Sequence, residues 1–405
     1  MSVNKGLIAG VVVVGLALCV GLGWWLARAH DRRDAELAAK ERAVIEAAIA
    51  KAAESYRKGM ENARANDARE AAKSEARREQ YDAQQAEDHK RLREAQTYME
   101  ALEKLPRNRG LKYLQAGDWK NLDELVDSLA ASGERAPDGR FQLQLVTSGI
   151  SDLFDVTEKS DESLQEALAA YLRARPESAF APILPAIQLR AAAWRARGDG
   201  YASEVTPEGW KLFSERNRRA WKSMLAVRSR SSLLPTWYEQ AIAIGMDTGI
   251  NADELRILFD EGIARFPGYY PIYTAFARGL SPRWGGNYED ADAFVRAQVA
   301  AKSNPEGEVL YTRLYWNIDR FGGYGLDFFE ESLVNWSRMR AGFEALLQKY
   351  PDKLNRASFA MYACRAGDGP TYLKLRKDVQ ESDFLEVTAQ GVSLEVCDAR
   401  FLIEA

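Results

Sequence analysis

The most pointed chemistry in this chain lies in one phrase, Pro282-Arg283-Trp284-Gly285-Gly286-Asn287, followed by Tyr288, Glu289 and Asp290. Adjacent glycines permit a tight backbone path. Asn287 is placed to cap the next helix, and Asp290, three residues on, stands where a capping-box partner would. This structural account is complete without a ligand, and we prefer it. The functional account beside it has Arg283 and Trp284 projecting from a fixed loop to grip a carboxylate or a peptide, since Arg and Trp dominate binding hot spots. The candidate partner-binding residues are therefore Arg283, Trp284, Gly285, Gly286 and Asn287. No Gly-Lys-Ser/Thr follows the glycines, so the loop is not a phosphate cradle.

Elsewhere the residue types exclude more chemistry than they suggest. Both histidines, His30 and His89, precede the globular region. That removes Ser-His-Asp and Cys-His schemes and histidine-based zinc sites there, and leaves no catalytic residue, metal ligand or cofactor to assign. Acidic pairs such as Glu330 and Glu331 are routine on helix surfaces. Trp210, Phe213, Trp221 and Leu225 recur at helical spacing and read as core rather than a cofactor box. Of the three cysteines, Cys19 lies in an apolar run. Cys364 and Cys397 are either two buried thiols, the preferred reading, or one bridge. A net charge of -4 without a basic run predicts no nucleic-acid partner.

The elements that must position the loop are helical. From residue 110 onward, amphipathic segments carry eight of the ten tryptophans. Proline-led stretches end near glycine: Pro176 to Gly198-Asp199, Pro235 to Gly249, Pro267 to Gly279, Pro305 to Gly322-Gly323, and Pro351 to Gly367-Asp368. Proline suits a helix start and glycine a helix end, so this punctuation describes stacked helix pairs. Their uneven period approximates the tetratricopeptide unit of about 34 residues. Leu122, Leu125, Val126 and Leu129, and Leu255, Leu258, Phe259, Gly262, Ile263 and Phe266, keep three-and-four spacing. Ala116-Gly117-Asp118-Trp119 shares the turn chemistry and extends the array back to about residue 110. The fold class is all-α, a tetratricopeptide-like α-solenoid over 110–380. A tail follows at 381–405, with Val387 to Val396 as its single strand candidate.

Ahead of this domain, a tail at residues 1–5 leads into 22 uncharged residues, Gly6 to Ala27. At about 1.5 Å of rise each they reach across a bilayer core of about 30 Å. Trp24-Trp25 and Arg28 suit the interface, so the segment reads as a transmembrane helix rather than a cleaved signal. Residues 28–105 hold 17 basic and 17 acidic side chains, no proline and one glycine. They read as a charged helical stalk with i,i+4 pairs such as Glu54 with Lys58. An apolar seam from Leu37 to Tyr56 suits a coiled coil and then fails. The stalk is therefore first a spacer, with homo-oligomerisation as the alternative. Pro106, with Asn108 and Gly110, supplies the breaker that ends it. The basic residues after the span favour a cytoplasmic domain by the positive-inside rule; a periplasmic one is the alternative.

Several of these phrases together resemble a bacterial domain-of-unknown-function family, number four thousand and thirty-four. They are Arg175-Pro176-Glu177-Ser178, Ala193-Trp194-Arg195-Ala196-Arg197-Gly198, Phe266-Pro267 through Tyr273, and Leu280 through Asn287. The resemblance covers roughly 110–380 and implies a helical, tetratricopeptide-like fold in a bacterial protein, which with the span at 6–27 places the expected protein in a cell inner membrane. It brings no reaction, substrate or cofactor. The expected function is a membrane-anchored scaffold that binds a protein or peptide. An enzyme using carboxylates on an all-helical frame and a structural envelope spacer are the alternatives.

Overall fold

The computed structural model describes residues 106–156, 161–198, 200, 202–322, 328–385 and 392–401, with scattered positions between 42 and 58. The expected span at 6–27 lies outside the described residues, as does most of the stalk. Among the described residues no helix is long and apolar enough to cross a membrane. The stalk positions that are described, such as 42–44 and 57–58, are helical. Glu54 and Lys58 pair at 2.9 Å, as the i,i+4 spacing predicts. The chain divides into two compact units, Met1–Tyr98 and Met99–Ala405, and the second carries the fold.

That unit begins with α1 (Pro106–Ala116), α2 (Trp119–Ser132), α3 (Gln142–Val156), α4 (Asp161–Ala174), α5 (Leu184–Arg197) and α6 (Pro207–Ala226). It continues with α7 (Pro235–Thr248), α8 (Ala252–Arg265), α9 (Tyr270–Leu280), α10 (Tyr288–Ala300), α11 (Glu308–Gly322) and α12 (Trp336–Lys349). It closes with α13 (Lys353–Arg365), α14 (Gly369–Arg376) and α15 (Leu394–Phe401). Among the described residues there is no strand, only an isolated bridge between Arg135 and Phe141. The strand expected within Val387 to Val396 is not formed at its described end, which is the start of α15.

The proline and glycine punctuation sets some of the boundaries, but Pro176 lies in a turn and the helix that ends at Gly198 opens at Leu184. Pro235 opens α7, and Gly249 ends it in the left-handed conformation. Gly117-Asp118 and Gly367-Asp368 make the same turn twice: each aspartate caps the following helix, through Asn121 N and Thr371 N. Two signals act differently from the expectation. Pro106 starts α1, the stalk end before it lying outside the described residues, and Gly110 lies inside that helix against Val146, where a side chain would not fit. Gly279 also lies inside a helix; Ser281 ends α9.

Alternate helices pack on one another as well as on their sequence neighbours: α1 on α3, α3 on α5, α7 on α9 and α9 on α11. This skip packing is the mark of stacked helix pairs, so the array is tetratricopeptide-like. The apolar positions read at helical spacing are core: Leu122 and Val126 in α2, and Leu255, Leu258 and Phe259 in α8, are buried. The α6 stripe is shifted. Its buried face is Phe213, Asn217, Ala220 and Met224, while Trp210 is 37% and Leu225 42% exposed. The expected core stripe of Trp210, Phe213, Trp221 and Leu225 is thus core only in part, because the helix is rotated toward its neighbours by a fraction of a turn.

Two long-range fastenings complete the unit. The loop joining α2 to α3 reaches three later repeats. Arg135 donates to the Gly268 carbonyl at 3.3 Å and to Glu306 at 2.8 Å, Arg313 donates to the Gly139 carbonyl at 3.2 Å, and Asn355 donates to the Asp138 carbonyl at 3.1 Å. At the other end Cys364 in α13 and Cys397 in α15 form a disulfide, with Cα atoms 5.7 Å apart. The pair is bridged, where free thiols were the preferred expectation. Residues 394–401, placed in the expected tail, are a helix whose Asp398 accepts from Arg376 and from Tyr372.

Candidate functional site

The Pro282–Asn287 loop is built as a turn. Pro282–Trp284 form a single 3-10 turn, and Gly285 follows with φ 89°, a conformation that favours glycine. A Cβ on Gly286 would run into the Leu280 carbonyl, so the chain can pass there only without a side chain. Asn287 caps α10: its Oδ1 accepts from Asp290 N at 2.7 Å, and its Nδ2 donates to the Asp290 carboxylate at 2.8 Å. The reciprocal bond of the expected capping box runs between the two side chains rather than to the Asn287 backbone.

Arg283 and Trp284 part company in this turn. Arg283 is exposed, its guanidinium 6.0 Å from the Trp284 ring. Trp284 folds inward and packs edgewise on Trp194, with ring centroids 5.5 Å apart. Beneath it lies Arg278, whose guanidinium carbon stands 4.1 Å from the Trp284 ring, 4.9 Å from Phe321 and 5.9 Å from Trp194. Stacking of this kind stabilises a cation by about 0.5–2 kcal/mol.

The Arg278 side chain has no carboxylate or hydrogen-bond partner among the described residues, and its Nε is buried and unpaired. The Trp284 Nε1 is likewise buried without an acceptor. Burial, then the neighbouring Arg190, lowers the Arg278 pKa to about 10, with Asp247 opposing and Arg283 adding to the drop. The group remains a cation at neutral pH. Asp247 is half engaged: its Oδ2 accepts from Arg190 Nε at 2.6 Å and from Trp194 Nε1 at 2.8 Å, while its Oδ1 is buried without a donor. Arg190, Arg278 and Arg283 thus gather around Asp247, with Glu239 also near Arg190, and two donors and one Asp247 oxygen are buried without partners. Buried polar groups are nearly always paired, so orphan donors beside excess positive charge mark a place for an anion.

Two other polar clusters are self-sufficient. Asp123 in α2 accepts from Tyr171 at 2.6 Å, from Ser178 at 2.5 Å and from Arg175 at 2.9 Å. This network ties the Arg175-Pro176-Glu177-Ser178 phrase to α2 and leaves the carboxylate fully used. Glu306 sits between Arg135 and Arg313, accepting from one at 2.8 Å and the other at 3.0 Å. A lone acid, Glu239 in α7, accepts from the Tyr269 hydroxyl at 3.2 Å, and burial raises its pKa to about 7. No second carboxylate contributes to that shift, so an acid pair is not assembled around it. Among the described residues no group of three or more His, Cys, Asp or Glu is placed to hold a metal ion.

Sequence reasoning named Arg283 and Trp284 and missed Arg278, Arg190 and Asp247. One signal for Arg278 was there: in the α9 sequence YPIYTAFARGL it is the single charge in an otherwise largely apolar helix.

No curated protein and no solved structure matches the chain. A family model does match, over residues 107–230. The match takes in Arg175–Ser178 and Ala193–Gly198 but stops well short of residue 380, and the Pro282–Asn287 loop lies beyond it. Over residues 107–230, the chain is similar to the family described as Domain of unknown function (DUF4034).

Proposed function

We propose that this protein is a membrane-anchored helical-repeat scaffold whose inner helices bind an acidic segment of a protein or peptide partner. The observation that carries the proposal is the pair of buried, unpaired donors, Arg278 Nε and Trp284 Nε1, under a turn that presents Arg283 at its rim. A carboxylate there would accept from both donors and balance the excess of arginine over aspartate. Because the cluster stands on two helices and a rigid turn, its geometry is set before a partner arrives, which lowers the ordering cost of binding.

Anchorage rests on the uncharged Gly6 to Ala27 segment. The buried Cys364–Cys397 disulfide favours the oxidising, periplasmic side of an inner membrane over the cytoplasmic one, since structural disulfides persist outside the cytosol. A C-terminal reporter fusion active only outside the cytoplasm is the expected result, and a cytoplasmic signal would overturn that assignment.

Binding is tested with full-length protein in detergent micelles, titrated with an amidated hexaglutamate peptide while tryptophan fluorescence is followed. The peptide should perturb the signal of the wild type. Arg278→Met and Arg283→Ala should each weaken binding about tenfold with an unchanged unfolding midpoint. Equal binding by all three proteins would refute the proposal.

A further inference from the structure

One helical turn from Arg278 lies a cavity of about 160 Å³ between the start of α3 and helices α9, α11 and α13. Its walls include Arg140, Tyr270, Arg313, Trp316, Asn317 and Arg320. Helices α9 and α11 run parallel along it, because Arg313 stacks on Tyr270 at one end and Arg278 on Phe321 at the other. Tyr270, Thr274 and Arg278 therefore form one stripe of α9, and Arg313, Asn317 and Phe321 the facing stripe of α11.

Three features of the cavity set the chemistry of an occupant. First, charge: the lining arginines Arg140, Arg313 and Arg320 meet one lining acid, Asp138, with Asp352 near Arg140 and Glu306, shared with Arg135, behind Arg313. Arg140 is tied to Asp138, and Arg313 to Glu306 and the Gly139 carbonyl. Arg320, exposed in the last turn of α11, forms no hydrogen bond or ion pair among the described residues. Its fork is free for a carboxylate. Second, the Asn317 Oδ1 is buried and has no donor, so the occupant brings an N–H. Third, size: pockets for whole small molecules run to about 300–1,000 Å³, so this one suits the end of a longer molecule.

We infer that this cavity receives the free C-terminal residue of a peptide, its carboxylate on Arg320 and its amide N–H on Asn317 Oδ1, with the rings of Trp316 and Tyr270 along its side chain. The inference rests on the partner-binding reading above and deepens it: the partner enters by its C-terminus, and its preceding residues run toward Arg278, about 5 Å away per helical turn.

The test uses full-length protein in micelles and three labelled probes read by fluorescence anisotropy: an alanine hexapeptide with a free C-terminus, the same peptide amidated, and N-acetylalanine. The free acid should bind about tenfold more tightly than the amide, and Arg320→Ala should abolish the difference. Arg320→Lys should restore part of it, and Asn317→Ala should weaken acid and amide alike while keeping the difference between them. Because Arg320 is exposed, its variants should keep the wild-type unfolding midpoint. Equal binding of acid and amide would overturn the inference, and N-acetylalanine binding as tightly as the hexapeptide would reassign the cavity to a free small carboxylate. If amidated hexaglutamate binds and the free-acid hexapeptide does not, this inference fails and the acidic-partner reading stands. If neither binds, both fail.

Discussion

The two ends of the α9–α11 pair use the same residue types to opposite effect. At the Tyr270 end, Arg313 stacks on the tyrosine ring at 4.3 Å and also holds Glu306, which in turn holds Arg135. At the Phe321 end, Arg278 stacks on Trp284 and Phe321 and holds no acid. The first arrangement closes the charge balance inside the protein and clasps the α2–α3 loop to later repeats. The second leaves charge and donors unspent. An arginine with its carboxylate in place serves the fold; a preorganised arginine without one is what the proposed partner would use.

The sharpest way to break this contrast is at Glu306. Its side chain is 6% exposed between two arginines, so Glu306→Gln strands two buried cations. It should cost about 3–5 kcal/mol of stability, measured by urea unfolding of the full-length protein. A loss under about 1 kcal/mol would mean that the clasp is not a fastening. Arg313→Met should cost a comparable amount by exposing Glu306 to a single partner, whereas Arg278→Met should change stability by less than about 1 kcal/mol, because it removes a buried charge that has no carboxylate.

Acids sharpen the contrast further. Glu306 sits between two guanidiniums, whereas Glu239 accepts from the Tyr269 hydroxyl, and burial raises its pKa to about 7 against the opposing Tyr269 bond and the Arg190 charge. A folded-state pKa above the unfolded value of 4.5 means that the native protein binds the extra proton between these values. The contribution is fully present below pH 4.5 and is lost as pH rises through about 7. Glu239→Gln should therefore match the wild type near pH 4.5 and exceed it by about 2 kcal/mol at pH 8, as read from unfolding midpoints. The reverse order at pH 8 would show that the Arg190 charge outweighs burial at Glu239.

The smallest effect belongs to the turn beside Arg278. Asn287→Ala removes the bond to Asp290 N and should cost about 1 kcal/mol, whereas Asn287→Ser should cost less. If Asn287→Ala also weakens peptide binding tenfold, the turn positions the site as well as starting α10.

This turn was legible in the sequence because its signals are local: two glycines, a capping residue and an acid three positions on. So were Gly249 at the end of α7 and the buried stripe of α8, since helical period and helix-end chemistry act within a few residues. The α6 stripe was half legible, because spacing says which residues share a face but not how far the face is turned toward its neighbours. The clasp was not legible. Asn355 meets Asp138 across 217 residues, and a stacked-repeat reading predicts contacts only between neighbours. The same limit hid Arg278 behind Arg283: adjacency to a suggestive loop is visible in one dimension, and stacking beneath Trp284 is not. The pairing of Cys364 with Cys397 depends on how α15 returns to α13, which spacing does not encode.

The central claim is that Arg278 serves a partner rather than the fold. Its most direct test measures unfolding and amidated-hexaglutamate binding on the same full-length samples of wild type, Arg278→Met and Arg313→Met. The account predicts that Arg278→Met unfolds within about 1 kcal/mol of wild type and binds about tenfold more weakly, while Arg313→Met is destabilised by about 3 kcal/mol or more. An Arg278→Met protein that binds as wild type does, or that loses as much stability as Arg313→Met, would contradict it.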